Sequence, residues 1–185
     1  MHYVYRLDHD QRPTSNLFAL VIYLPEDLDA VIAPLREMYD PDYNVMSSHI
    51  TLVPPFETEK SLGEISDIVR RETVSLGSLK IELGSIGDFY PAYPIIYWQV
   101  KESEPLTRLY RNLHRKLDLE LPFGEFAPHV TVAKEISPHR LFIVKEKIVS
   151  YLPEESLTVA AVDLVSPVAG RQWLSVRTFP IAAQS

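Results

Sequence analysis

The sequence predicts a fold of mixed strands and helices in which one unit is used twice. Three observations carry this reading. Apolar and alternating runs mark strands, and these are interleaved with stretches of helical periodicity. The order strand, helix, loop, strand, helix, strand is read over about residues 16–90 and again over about 91–180, with one further strand at the end. Matching positions recur at a nearly fixed offset: Leu17 to Ile95, Ile95 to Trp173 and Leu79 to Leu157 are each 78 residues apart, and His49 to His129 is 80. Two copies are too few for a solenoid, so the expectation is a pair of lobes around a pseudo-twofold axis within a single domain.

Each element has its own warrant. NLFALVIYL (16–24) is the first strand. PEDLDAVIAPLREMYD is a helix by its proline start, its acidic first turn and its apolar Leu28, Ile32 and Leu35. Pro34 is expected to kink or split it. DPDYNVMSS is a loop. SHITLV is a short strand that Pro54 and Pro55 should end, because proline cannot donate to a ladder. Residues 60–72 form a helix with Leu62, Ile65, Ile68 and Val69 inward, and LKIELGSIGDF is a strand. The pattern then restarts with the strand PIIYWQVK. In the helix EPLTRLYRNLHRKLD, Leu106, Leu109, Leu113 and Leu117 share a side. LELPFGEFAP is a loop and HVTVAKEI a strand. SPHRLFIVKEKIVSYL is a helix capped by Ser137 with Pro138 in its first position. LTVAAVDLVSP reads as one strand, and QWLSVRTFPI is the last. Residues 1–15 are expected to be a mobile tail.

Composition removes several function classes. Hydrophobic residues at 46% and charged residues at 23% are those of an ordinary globular chain, not a disordered one. No apolar run is long enough to span a membrane, and the N-terminus lacks the basic start and apolar core of a secretory leader. There is no cysteine, which excludes disulfides, thiolate metal sites and a cysteine nucleophile. A cytoplasmic location and a monomer are the expectations. The net charge of −7 argues against a broad basic face that coats long nucleic acid, although a small phosphate held by a few groups stays open. Arg108, Arg111, Arg115 and Lys116 cluster on one helix and read as a solvated face.

The chemistry sits in a motif that each half carries once: His49-Ile50-Thr51-Leu52 and His129-Val130-Thr131-Val132. On a strand, residues two apart point the same way. His49 and Thr51 therefore share one face and His129 and Thr131 another, with the aliphatic residues packed beneath helices. Random order would place about 0.2 such motifs in a chain with this composition. Two in register with an internal repeat point to two imidazoles and two hydroxyls converging across the axis. Histidine titrates near neutrality, so one ring can take a proton while the other gives one.

HITLVPPF and APHVTVAK resemble the two signature strands of the 2H phosphoesterase superfamily, which includes bacterial 2′-5′ RNA ligase-like proteins and cyclic nucleotide phosphodiesterases. The resemblance runs from about Leu17 to Phe179 and is specific at the two motifs. The Pro-Pro-Phe after the first motif and the Pro-His that opens the second are similar to small bacterial members. The resemblance implies a bilobal α+β fold, with two antiparallel sheets lining a central cleft and helices packed outside. It implies metal-independent chemistry on a 2′,3′-cyclic phosphate or a related 2′-linked diester at RNA ends or small cyclic nucleotides, with no cofactor. By position it makes His49 and His129 catalytic, and Thr51 and Thr131 phosphate-binding. Many members have an arginine five residues after the second histidine; this chain has Lys134, a point charge without the planar fork.

Phe56, Tyr90, Tyr93 and Phe123 are candidates to stack on a base, against the alternative of ordinary loop and core aromatics. His114 and His139 are expected at the surface, and His2 and His9 in the tail. There is no zinc-binding helix motif, no serine-hydrolase elbow and no P-loop. Two other readings keep the site: the same chemistry on 2′-5′ oligonucleotides or ADP-ribose cyclic phosphate, and a binding module that holds nucleotides or RNA ends without turnover.

Overall fold

The structure, a computed structural model, describes residues 16–122, 124–168 and 172–181. The expected tail over 1–15 and Phe123 lie outside the described residues. The chain order is β1 (Leu17–Tyr23), α1 (Glu26–Tyr39), β2 (His49–Glu57), α2 (Leu62–Leu76), β3 (Lys80–Asp88), β4 (Ile96–Val100), α3 (Glu104–Lys116), β5 (His129–Ala133), α4 (Pro138–Val149), β6 (Glu155–Thr158), β7 (Ala161–Pro167) and β8 (Trp173–Pro180).

Local chemistry explains most of these boundaries. Glu26, Asp27 and Asp29 stand in the first turn of α1, where carboxylates complement the helix dipole. The helix runs unbroken through Pro34, against the expected split. Pro34 and Ala30, whose carbonyl loses its partner there, both lie on the exposed side where water can serve. Ser61 and Glu64 form a reciprocal capping box, so α2 starts at Leu62, two residues later than expected. It then continues to Leu76 and stops at Gly77, whose φ of 68° few other residues tolerate.

β2 does not end at Pro54 and Pro55 but passes through them to Glu57. Its pairing with β1 shifts register between Leu20↔Val53 and Phe18↔Phe56, a bulge that accommodates the two residues without N–H groups. On its other side β2 meets β5 only at Ile50↔Val130, so no ladder bond is asked of either proline there.

All eight described strands form one antiparallel sheet, in the order β6-β3-β4-β5-β2-β1-β7-β8. The two sheets expected are the halves of this one, joined through the single pair Ile50↔Val130. The halves of the sheet are not the halves of the sequence. β3 lies beside β4 of the second repeat, and β7 lies beside β1 of the first. The segment expected as one strand, LTVAAVDLVSP, breaks at Val159–Ala160 for this reason: β6 extends the β3 side, and β7 crosses to β1.

One face of the sheet carries the main core. Leu20, Ile22, Ile50, Leu52, Ile81, Leu83, Ile96, Trp98, Val130 and Val132 meet Ile32, Leu35, Ile65, Val69, Leu106, Leu109, Val144 and Ile148 from the four described helices. Trp98 is fully buried, with its indole N–H donating to the Gly84 carbonyl at 3.0 Å. Alternation then leaves the odd-numbered residues of the middle strands on the opposite, helix-free face.

Candidate active site

The two histidine strands are the middle pair of the sheet. With Ile50 opposite Val130 in an antiparallel pair, His49 falls toward Thr131 and Thr51 toward His129. The imidazoles thus take one diagonal of a four-cornered patch and the hydroxyls the other. Diagonal neighbours of this kind are roughly 7–8 Å apart at the backbone, enough for a phosphate between two side chains.

Each histidine is anchored in the same way. His49 Nδ1 lies 2.8 Å from the carbonyl of Ser47, and His129 Nδ1 lies 2.8 Å from that of Ala127. A carbonyl only accepts, so Nδ1 carries the proton in both rings and Nε2 is left for chemistry. The segments that present these carbonyls are held in turn. The Ser48 N–H donates to Asp29, the Leu24 N–H to Ser48, and the Val100 N–H to Pro128.

The two rings differ in surroundings. Burial pushes His49 down to about 4, the Ser47 carbonyl opposes this, and the charges of Arg36, Lys134 and His129 add to the depression. His129 is lowered by burial against the pull of the Ala127 carbonyl. It sits among aromatic rings, 4.9 Å from the Phe89 centroid and 5.3 Å from that of Tyr97. Phe89 and Tyr97 stack on each other at 4.3 Å. Tyr97 lies over Gly87, where any Cβ would overlap its ring. Gly87→Ala should therefore lift Tyr97, disturb Phe89 and loosen His129. The expected result is a turnover loss of about tenfold or more with the fold retained, checked by kinetics beside circular dichroism.

Lys134 follows directly after β5. Its N–H donates to the Tyr39 carbonyl at 2.9 Å, and its Nζ lies 3.2 Å from Asp42 and 3.9 Å from Asp40. Asp40 is buried against Arg36, whose Nε and Nη2 donate to one carboxylate oxygen at 3.1 and 3.0 Å. Arg36 Nη1 donates to the Met46 carbonyl and to Ser48 Oγ. This network ties the end of α1 to the loop that leads into His49.

A cavity of about 540 Å³ opens beside His49 and Thr51. Arg36, Asp42 and Lys134 stand at its polar side, and Ala19, Val21, Met46 and Trp173 are among its apolar walls. Its floor belongs to a small second core of Ala19, Val21 and Val165, with Tyr23, Met46 and Trp173 packed on it.

The structure brings His49, Thr51, His129, Thr131 and Lys134 together at the centre of the sheet. It removes Phe56, which is buried in the helix-side core with its ring 6.3 Å from Phe18. Tyr90 and Tyr93 are exposed on the turn between β3 and β4, close in sequence to Phe89 but not in the cavity. His114, expected at the surface, is buried, and its Nδ1 lies 2.9 Å from the Tyr110 carbonyl one turn earlier. Phe89, Tyr97, Arg36, Asp40 and Trp173 carry no motif; only the odd-position spacing of Gly87, Phe89 and Tyr97 on neighbouring strands hints at a shared face. Among the described residues, no group of three or more His, Cys, Asp or Glu side chains is placed to hold a metal ion. No described helix is long and apolar enough to cross a membrane.

The family model of the 2′-5′ RNA ligase superfamily matches residues 24–171, most of the chain and both histidine strands. The chain belongs to this superfamily. Its sequence is 30% identical over 120 residues to a Geobacillus kaustophilus protein named "Putative phosphoesterase", a match that covers 64% of this chain and 69% of that one. A Halalkalibacterium halodurans protein of the same name is 23% identical over 168 residues, covering 90% of this chain and 98% of the relative. The fold is similar to that of Escherichia coli LigT, in a crystal structure complexed with ATP, with a TM-score of 0.63 over 90% of this chain and 98% of LigT at 13% identity. Membership of the superfamily makes the chain an enzyme of the 2H phosphoesterase type, and the α+β architecture is the LigT-like one.

Proposed function

We propose that this phosphoesterase hydrolyses 2′,3′-cyclic phosphate ends of RNA or nucleotides without a metal, as a cytoplasmic monomer. The observation that carries the reading is the matched pair of imidazoles on the two middle strands, each with Nδ1 bound to a carbonyl and Nε2 left over. Opening a cyclic phosphate by water needs two proton movements on opposite sides of phosphorus. One Nε2 takes a proton from the attacking water as its oxygen bonds to phosphorus. The other imidazolium gives a proton to the ribose oxygen as the phosphorus–oxygen bond breaks. Thr51 and Thr131 hydroxyls donate to the non-bridging oxygens as charge gathers there, and Lys134 supplies a cation at the rim. Tyr90 and Tyr93 would meet a chain longer than one nucleotide. With a 5′-hydroxyl in place of water as the attacking group, the same ring opening forms a 2′-5′ bond as the other ribose oxygen leaves; water at high concentration favours hydrolysis. The LigT structures complexed with ATP and with 3′-AMP accord with a nucleotide at such a site.

The test is hydrolysis of the four 2′,3′-cyclic mononucleotides with EDTA present, product position being read by NMR. Turnover indifferent to EDTA is expected. Absence of turnover on all four, or turnover restored only by added divalent metal, would sink the proposal. The pH profile gives a second check. Activity needs one proton shared between the two rings, so kcat/KM rises as the lower ring loses its proton and falls as the upper one does. His49 titrates at about 4 and His129 below its usual 6.5. The maximum of kcat/KM is therefore expected on the acid side of 6.5, with activity declining through neutrality. A maximum at pH 8 would contradict it.

A further inference from the structure

The two halves of the helix-free face are not filled alike, although the strands that build them correspond. On the β5 side, Tyr97 of β4 is the register partner of Thr131; on the β2 side, Val21 of β1 is the register partner of Thr51. The protein thus lays an aromatic ring of its own beside one threonine, with Phe89 stacked on it, and a small aliphatic residue beside the other. The cavity of about 540 Å³ lies on the side left unfilled. Its volume falls in the range of small-ligand sites, and its composition is that of such a site, apolar walls with a few polar groups among them. The polar lining is His49, Thr51, Arg36, Asp42 and Lys134, and Ala19, Val21 and Trp173 are among the apolar walls. Trp173 is held in place, since its backbone N–H donates to the Val45 carbonyl at 3.1 Å and its side chain packs on the second core.

We infer that this cavity is the nucleobase subsite: the base carried by the reacting ribose lies on the β1 side of His49 against Trp173, in the space that corresponds to Tyr97 in the other half. The inference rests on the proposed reaction at the two histidines for its substrate class. It places the base on the first-motif side, away from Tyr90 and Tyr93. Discrimination among bases then belongs to the walls of this cavity and not to the His129 side, which is already occupied by the rings of Phe89 and Tyr97.

The chain has two tryptophans, and Trp98 is fully buried on the other face of the sheet, so the emission of Trp173 reports the cavity. Fluorescence titrations with adenosine 3′-monophosphate and with inorganic phosphate would be run on wild type, Trp173→Phe, Trp173→Ala, Val21→Phe and the pair Tyr90→Ala/Tyr93→Ala, with calorimetry where the fluorophore is removed. The nucleotide is expected to quench wild type, and Trp173→Phe to lose that quench. Trp173→Ala should weaken nucleotide binding by between about fivefold and a hundredfold, the usual range for one base on one aromatic ring, and leave phosphate binding unchanged. Val21→Phe, which puts a ring where the other half has one, should do the same by filling the cavity. Nucleotide affinity that ignores Trp173→Ala and Val21→Phe but falls with the tyrosine pair would overturn the subsite. So would equal affinities of wild type for nucleotide and phosphate. Cyclic nucleotide hydrolysis by the same proteins keeps the two ideas apart. Turnover with a KM untouched by Trp173→Ala removes the subsite and leaves the reaction. Quenching at Trp173 without any turnover removes the reaction and leaves the subsite.

Discussion

His49→Ala and His129→Ala are each expected to lower kcat by about 10²–10⁴-fold, and the double variant should be little worse than the poorer single one. The reason is that both rings act on one transition state. Once one proton cannot be moved, perfect placement of the other gains little. Neither substitution should unfold the protein. Each removes one ring-to-carbonyl bond, to Ser47 or to Ala127, worth on the order of 1 kcal/mol. Asparagine makes the sharper control. Its amide nitrogen can occupy the place of Nδ1 and keep the bond to Ser47 or Ala127, yet it has nothing at Nε2. His49→Asn and His129→Asn should therefore be as inactive as the alanine variants and closer to wild type in stability. Single-turnover rates on a 2′,3′-cyclic nucleotide, with denaturant midpoints for each variant, would decide this. Either alanine variant within tenfold of wild type would remove its histidine from the proton transfers.

The chemistry of this chain is more legible in its sequence than its topology is. Period-two alternation puts His49 with Thr51 and His129 with Thr131, and the 80-residue spacing of the pair is visible without coordinates. Phe56 is not legible in this way: alternation fails at the bulge, where Val53 joins Leu52 in the helix-side core, so the side that Phe56 takes depends on the pairing of β2 with β1. The exchange of β3 and β7 between the halves is a matter of which distant strand a segment pairs with, and a local apolar pattern contains no information on that. The passage of β2 through Pro54 and Pro55 depends on how far β5 extends beside it, again a property of a partner 80 residues away. His114 lies within the apolar stripe of α3, where its bond to the Tyr110 carbonyl and its packing on the Tyr110 ring at 4.4 Å offset the burial of a polar ring. Arg36 and Asp40 look from the sequence like an ordinary helix-surface pair at i, i+4; what distinguishes them is that both are buried.

That burial makes Arg36 the position where a single change should cost the most stability. Its guanidinium meets Asp40 twice, Met46 once and Ser48 once, and its side chain and that of Asp40 are 8% and 0% exposed. Arg36→Met keeps the length and apolar stem but takes both guanidinium bonds from a buried carboxylate, which keeps the Asp42 N–H at 3.0 Å and has Lys134 as its nearest cation at 3.9 Å. Removing one partner of such a pair typically costs about 3–5 kcal/mol. For a chain of this size that is roughly 6–20 °C in Tm. Arg36→Lys should recover only part of this, because an ammonium cannot reach Asp40 and Met46 together as the fork does. Arg36→Met combined with Asp40→Leu removes the stranded charge as well and should recover most of the loss. The same pair of variants separates stability from positioning. In the double variant the loop from 40 to 48 no longer has its ties to Arg36, so the Ser47 carbonyl that orients His49 is less firmly placed. Stability should return while kcat stays below wild type. If the double variant is as unstable as Arg36→Met, a buried unpaired charge is not what the single change exposes. If its kcat matches wild type, the network supports the fold and has no part in holding His49.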